Sequence, residues 1–140
     1  VVIHQRSISR MIELDVFVDE QYLTSYWADG VIFATPTGST AYALSSGGPL
    51  VYPTLSAVLI VPISPHTFSH RPIVLPTDRK IQVKLKESVK QIVSVSCDGQ
   101  VVFDFAPGEE LHLLSKASKI TLIHPSNYSY FEIYQQNLIY

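Results

Sequence analysis

Lys80-Ile-Gln-Val-Lys-Leu-Lys86, followed by Val93-Ser-Val-Ser-Cys-Asp-Gly-Gln-Val-Val-Phe-Asp-Phe105, decides the fold. Ile81, Val83 and Leu85 take one side of an extended chain while Gln82 and the lysines take the other. That period of two belongs to a strand with one buried face. Val93, Val95 and Cys97 repeat it. Asp98-Gly99 then leads to Val101, Phe103 and Phe105, and Asp-Gly between alternating runs predicts a tight type I′ hairpin, whose central residues need positive φ. Outward from there, Ile12–Asp19 alternates in the same way, and Asp19-Glu20 turns the chain into Gln21–Trp27. Pro107-Gly108 marks a further turn, and Leu111–Leu114 and Lys119–His124 supply two more short strands. Val31–Ala34 is apolar throughout and predicts a central strand. The fold class is therefore mainly β, an antiparallel β-sandwich formed by residues 1–140 as one domain.

Two segments break the alternation. Ser39–Ser46 reads as one short helix after the Thr-Pro-Thr-Gly-Ser-Thr loop, capped by Thr37 or Ser39 and stopped by Gly47-Gly48-Pro49. Tyr130, Ile133, Tyr134, Asn137 and Leu138 recur at helical spacing and predict a C-terminal helical segment. Composition narrows the function. Of 140 residues, 46% are hydrophobic and 16% charged, enough to fill a core. A net charge of −2 argues against nucleic-acid or polybasic membrane partners. A single cysteine, Cys97, provides neither an internal disulfide nor a thiolate metal site, so a reducing, cytoplasmic compartment is expected. No apolar run is long enough for a membrane-spanning helix. The chain opens on Val, which fits either a removed leader or the tail of a longer protein.

The chemistry concentrates in Ala28-Asp-Gly-Val-Ile-Phe-Ala-Thr-Pro-Thr-Gly-Ser-Thr-Ala-Tyr-Ala-Leu-Ser-Ser-Gly-Gly-Pro49. Here hydroxyls, a glycine and free N–H groups sit where a strand gives way to a helix, an arrangement suited to phosphates. It is neither a Walker loop nor the dinucleotide glycine fingerprint, and a capped strand–helix corner is the plain alternative. Asp29 offers a carboxylate to a ribose diol, or simply forms an Asp-Gly turn. Gln100 offers an amide that can read a carboxamide or face water. His4, His66, His70, His112 and His124 lack metal-ligand spacing, so no metal site is expected in this chain. Thr-Gly-Ser-Thr-Ala is not a nucleophile elbow. Cys97 is expected to point inward, and Tyr128, Tyr130 and Tyr134 to pack.

The corner closely resembles the signature of the ATP- or polyphosphate-dependent NAD kinases. Asp29-Gly30, Thr35-Pro-Thr-Gly-Ser-Thr-Ala-Tyr42-Ala-Leu-Ser45-Ser-Gly-Gly-Pro49, Pro65-His66-Thr67, Arg71-Pro72, Asp98-Gly99-Gln100 and Tyr128-Ser-Tyr-Phe131 follow in the family's order. The Pro-His-Thr form is similar to Gram-negative bacterial members. The resemblance implies the C-terminal β-sandwich domain, which holds NAD. It places Asp29 on a ribose, Thr40, Ala41, Tyr42, Ala43, Leu44 and Ser45 along the NAD site, and Thr37, Gly38 and Ser39 in the same loop. Gln100 would lie near the dinucleotide and Arg10 would touch bound nucleotide. Trp27 stands where many members carry a basic residue, which puts a phosphate contact there in doubt.

The family's Gly-Gly-Asp-Gly motif and Asn-Glu pair do not occur in this sequence. No catalytic residue is therefore expected here, and the chain reads as the C-terminal domain without the α/β catalytic half. The implied reaction is phosphoryl transfer from ATP or polyphosphate, with Mg or Mn, to the adenosine ribose 2′-hydroxyl of NAD, giving NADP. A C-terminal domain of a related lipid kinase, or a non-catalytic dinucleotide-binding or assembly module, are the other readings. Exposed strand edges predict a homodimer or homotetramer.

Overall fold

The computed structural model describes residues 1–6, 10–67 and 69–137. Among the described residues, ten strands form two antiparallel sheets. The larger contains β1 (Val2–His4), β4 (Gly30–Ala34), β5 (Ala57–Ile63), β6 (Ile73–Pro76), β8 (Val93–Cys97) and β9 (Val101–Phe105), in the order β6-β5-β4-β1-β8-β9. The smaller contains β2 (Ile12–Val18), β3 (Gln21–Ala28), β7 (Ile81–Leu85) and β10 (Glu110–Leu113), in the order β10-β7-β2-β3. The expected sandwich is what the chain forms.

Alternation sets the main core. Ile12, Leu14 and Val16 of β2 and Ile81, Val83 and Leu85 of β7 face Ile3, Val31, Phe33, Val93 and Val95 of the opposite sheet. β4 departs from alternation because it is covered on both faces. Val31 and Phe33 enter the sandwich, whereas Ile32 and Ala34 join Ala43, Val51, Leu59 and Val61 in a second core on the outer side. An unbroken apolar run is the expected signature of such a strand.

The hairpins follow their turn chemistry. Asp98 and Gly99 both hold positive φ, 50° and 68°, and Gln100 N–H closes the turn on Cys97 carbonyl at 3.0 Å. Asp19 and Glu20 also hold positive φ, 49° and 67°, which disfavours side-chain-bearing residues. The Asp19 carboxylate offsets this by accepting Lys80 N–H at 3.0 Å and the Arg79 guanidinium at 2.9 Å. Those two donors hold the Asp19 carboxyl below its usual pKa.

Several expectations change. The predicted strand Lys119–His124 carries no ladder; Ile120 and Ile123 stand 91% and 95% exposed, so no neighbouring strand or core among the described residues rewards the extended pairing. The single helix over Ser39–Ser46 becomes a 3-10 turn, Thr37–Thr40, followed by α1 (Tyr42–Ser45). Neither carries a side-chain N-cap, because the capping positions are Pro36 and Ala41, which have no side-chain acceptor, and the Ser39 hydroxyl lies inside the 3-10 turn. Alternation in β9 buries only Phe105, while Val101, Val102 and Phe103 are exposed: six strands over four leave this outer strand uncovered. Cys97, at the end of β8, is half-buried. The C-terminal helix is present as α2 (Tyr130–Asn137), and Leu138 lies outside the described residues.

Tyr26 is enclosed in the main core, and its hydroxyl has no hydrogen-bond partner among the described residues. Burial pushes its pKa up from 10.0 to about 12. The folded state therefore binds the phenol proton more tightly than the unfolded chain does. The associated stability is complete below pH 10.0 and falls as pH rises toward about 12. Tyr26→Phe removes an unpaired buried hydroxyl, so it should raise stability at neutral pH by about 1 kcal/mol. Denaturant titrations at several pH values should also show a flatter alkaline decline than in the parent.

Candidate functional site

A cleft of about 780 Å³ opens between the two sheets and the loop after β4, a size suited to a small organic ligand. Its walls include Phe33 and Thr35 of the central strand and loop, Val58 of β5, Leu113 of β10 and, on the opposing turn, Thr77 and Arg79. The sequence-predicted loop reaches it through Gly38, Ala41, Tyr42 and Ala43. The Asp98-Gly99 hairpin tip reaches it from another side. Apolar walls with a few polar groups suit a ligand that has flat rings and a charged link.

The loop is built by one buried hydroxyl. Ser39 is 0% exposed; its Oγ donates to Pro36 carbonyl at 2.6 Å and accepts Val51 N–H at 3.2 Å. Ser39 N–H is also spent on Pro36 carbonyl, at 3.1 Å. Ser39 therefore shapes the corner, and its hydroxyl is not turned to a ligand. Thr40 Oγ1 donates to Thr37 carbonyl at 3.3 Å, and Thr37 itself is exposed. Gly48 stops α1 because its N–H caps Ala43 carbonyl at 2.8 Å. The approach is so close that a Cβ there would lie 2.7 Å from that oxygen. With four residues in each helical piece, there is little aligned dipole to offer a phosphate, so the polar capacity of this corner rests on hydroxyls and N–H groups.

Asp29 sits where the chain crosses from β3 in one sheet to β4 in the other, so Asp29-Gly30 is no chain reversal. Its N–H donates to Ile63 carbonyl at 3.0 Å and its carbonyl accepts Gln5 N–H at 3.1 Å. Gln5 Nε2 donates to its carboxylate at 2.8 Å. Gly30 is required because a Cβ there would fall 2.4 Å from Ile3 carbonyl. Asp29 is half-buried and is not on the cleft wall.

The remaining candidates scatter. Gln100 is exposed beside the hairpin tip, Leu44 is half-buried, and Ser45 is exposed on the outer side of α1. Arg10 lines a separate hollow of about 350 Å³ with Trp27, Glu13 and Lys90, which shares no wall residue with the main cleft. Trp27 stacks on His66 there, with ring centroids 4.4 Å apart. Sequence reasoning missed Arg79, which brings a guanidinium to the cleft wall from the Thr77–Lys80 turn. A lone arginine in a turn carries no pattern that marks it. Among the described residues, no group of three or more His, Cys, Asp or Glu is placed to hold a metal.

The ATP-NAD kinase C-terminal domain family model matches residues 1–125. The chain belongs to that family. It is similar to an NAD kinase of Marinomonas sp. (strain MWYL1), 47% identical over 137 residues, covering 98% of this chain and 47% of the relative. An NAD kinase of Ectopseudomonas mendocina (strain ymp) is also 47% identical, over 138 residues and 47% of its own length. The chain thus spans about half the length of the curated relatives it matches. Among solved structures it is similar to the yeast NADH kinase complexed with NADH, with TM-score 0.77 and 40% identity over 83% of this chain and 33% of that one. An NAD kinase from Archaeoglobus fulgidus in complex with ATP gives TM-score 0.74 and 34% identity over 83% of this chain and 44% of that one. The Thr35–Tyr42 loop bordering the cleft lies within the matched region of the family domain.

Because Ser39 satisfies Val51 N–H from inside the corner, Ser39→Ala should cost about 1–3 kcal/mol, the penalty for a buried donor left unmade. Thr40→Ala, at a longer bond on the half-buried side, should cost less. Thermal melts of the two variants test the order.

Proposed function

We propose that this chain is the NAD-binding part of an NAD kinase, which transfers a phosphoryl group from ATP or polyphosphate to the adenosine ribose 2′-hydroxyl of NAD. The observation that carries this is the family match over residues 1–125, together with a cleft bordered by the Gly38–Tyr42 loop. The relatives named NAD kinase, and the neighbours solved with NADH and with ATP, support the substrate class.

On this reading the chain contributes position rather than proton transfer. Phe33, Val58 and Tyr42 would present apolar and aromatic surface to the dinucleotide rings, and Thr35 and Arg79 a hydroxyl and a cation to its pyrophosphate. Asp29, which lies off the cleft wall with its carboxylate held by Gln5 Nε2, would accept hydrogen bonds from a ribose where the dinucleotide extends beyond the cleft. Arg10 and Gln100 would touch nucleotide only where it extends beyond the cleft or where a second subunit contributes. A divalent cation would supply charge neutralisation at the transferring phosphates, but the described residues do not fit a protein-held cation. The base that takes the 2′-hydroxyl proton would come from the N-terminal part that relatives carry. A homodimer or homotetramer is consistent with the exposed Val101, Val102 and Phe103 of the β9 edge, and a cytoplasmic location with the lone free thiol. Among the described residues, no helix is long and apolar enough to cross a membrane.

A coupled assay of NADP formation tests the reading. These 140 residues alone should show no turnover, whereas the full-length protein should. In the latter, Asp29→Asn should raise KM for NAD by about 10- to 100-fold, the worth of a hydrogen bond to a charged group, with the melting temperature near the parent value. Turnover by the chain alone, or an unchanged KM, overturns it.

A further inference from the structure

β1 has one face that the sandwich interior does not use. Ile3 is fully enclosed in the main core, so by alternation Val2 and His4 point to the outer side of the larger sheet. There Val2 is flanked by Ile32 of β4 and Ser96 of β8, and these three line the cleft together with His4. Ala41, Tyr42 and Ala43 border this floor from the β4 side, and the Asp98-Gly99 tip borders it from the β8 side.

His4 closes one end of the floor, and its ring chemistry is set by the backbone. Nδ1 lies 2.9 Å from Gln5 carbonyl. A carbonyl oxygen only accepts, so Nδ1 carries the proton, and Nε2 of the uncharged ring is an acceptor. Among the described residues, Nε2 has no hydrogen-bond partner. The strand neighbours opposite His4 do not supply one. Gly30 has no side chain, and the Ser94 hydroxyl is engaged by Arg6 Nε–H at 2.7 Å. The cleft thus holds an apolar floor with one open acceptor at its end.

We propose that His4 is a binding residue of the cleft, its Nε2 accepting a hydrogen bond from an exocyclic NH2 group of a flat heterocycle laid on Val2 and Ile32. The floor selects the ring, because burying a sugar's hydroxyls against apolar side chains costs more than burying a ring face. The acceptor selects the rim, because a ring without a donor there leaves a desolvated nitrogen unpaired. This deepens the proposed function and rests on it. An NAD molecule carries two such groups, the adenine amine and the nicotinamide carboxamide.

The test uses the full-length protein at mildly alkaline pH, with binding followed by isothermal titration and turnover by the coupled assay. NAD is compared with nicotinamide hypoxanthine dinucleotide, which lacks the adenine amine, and with nicotinic acid adenine dinucleotide, which lacks the carboxamide NH2. The parent should bind one analogue about 5- to 30-fold more weakly than NAD, the worth of a hydrogen bond left unmade. The disfavoured analogue names the ring that meets His4. His4→Phe should lose that discrimination, while His4→Gln, which keeps an acceptor, should retain it. The His4 Nε2 nitrogen resonance of the parent should also move when NAD binds, a readout that needs no variant. Equal binding of all three by the parent, discrimination that survives in His4→Phe, or a resonance unmoved by bound NAD overturns the inference alone. A parent that neither binds nor phosphorylates NAD overturns the proposed function with it.

Discussion

The two-sided burial of β4 is the constraint on which the architecture depends. A strand with a single covered face would let Thr35–Pro49 wander over solvent. Here Ile32 and Ala34 require Ala43, Val51 and Val61 on their outer side, which folds the loop back over the sheet and brings Gly38, Ala41 and Tyr42 to the cleft. The Ser39 hydroxyl then fixes the fold-back by joining Pro36 to Val51. The geometry of the corner is thus a by-product of core formation, and the residues that look most like ligand donors divide into those that build the corner and those that face the cavity.

That division limits how far residue type alone could go. Alternation at Ile12–Val18 and Ile81–Leu85, together with Asp98-Gly99, made the sandwich and its hairpins legible, because a pleated strand with one wet face leaves a period-two record. The apolar Val31–Ala34 revealed a central strand for the same reason. The sequence could not say that Ser39 spends its hydroxyl internally, since a buried bond to a carbonyl three residues back and an N–H twelve residues on leaves no compositional trace. Nor could it say that Arg79 lines the cleft, as its placement depends on a turn held by Asp19. The misassigned strand at Lys119–His124 is instructive in the opposite sense: the pattern was sound, but pairing needs a neighbour, and local sequence does not encode whether one lies within reach.

Asp29 and Gly30 illustrate how a short dipeptide can mislead. Asp-Gly suggests a reversal, yet the glycine is there for clearance from Ile3 carbonyl, and the aspartate ties the sheet crossing to Ile63 and Gln5. A residue with that many backbone obligations is held rigidly at the crossing between the sheets.

The tie between Arg79 and Asp19 has a bearing on any anion entering the cleft. The guanidinium at its wall already has a carboxylate at 2.9 Å, so an incoming phosphate competes for a claimed cation instead of meeting a vacant one. What the newcomer gains is the difference between two ion pairs, smaller than a lone arginine would give. Selectivity among nucleotides of different charge would accordingly lean on the contours of the apolar wall more than on this arginine.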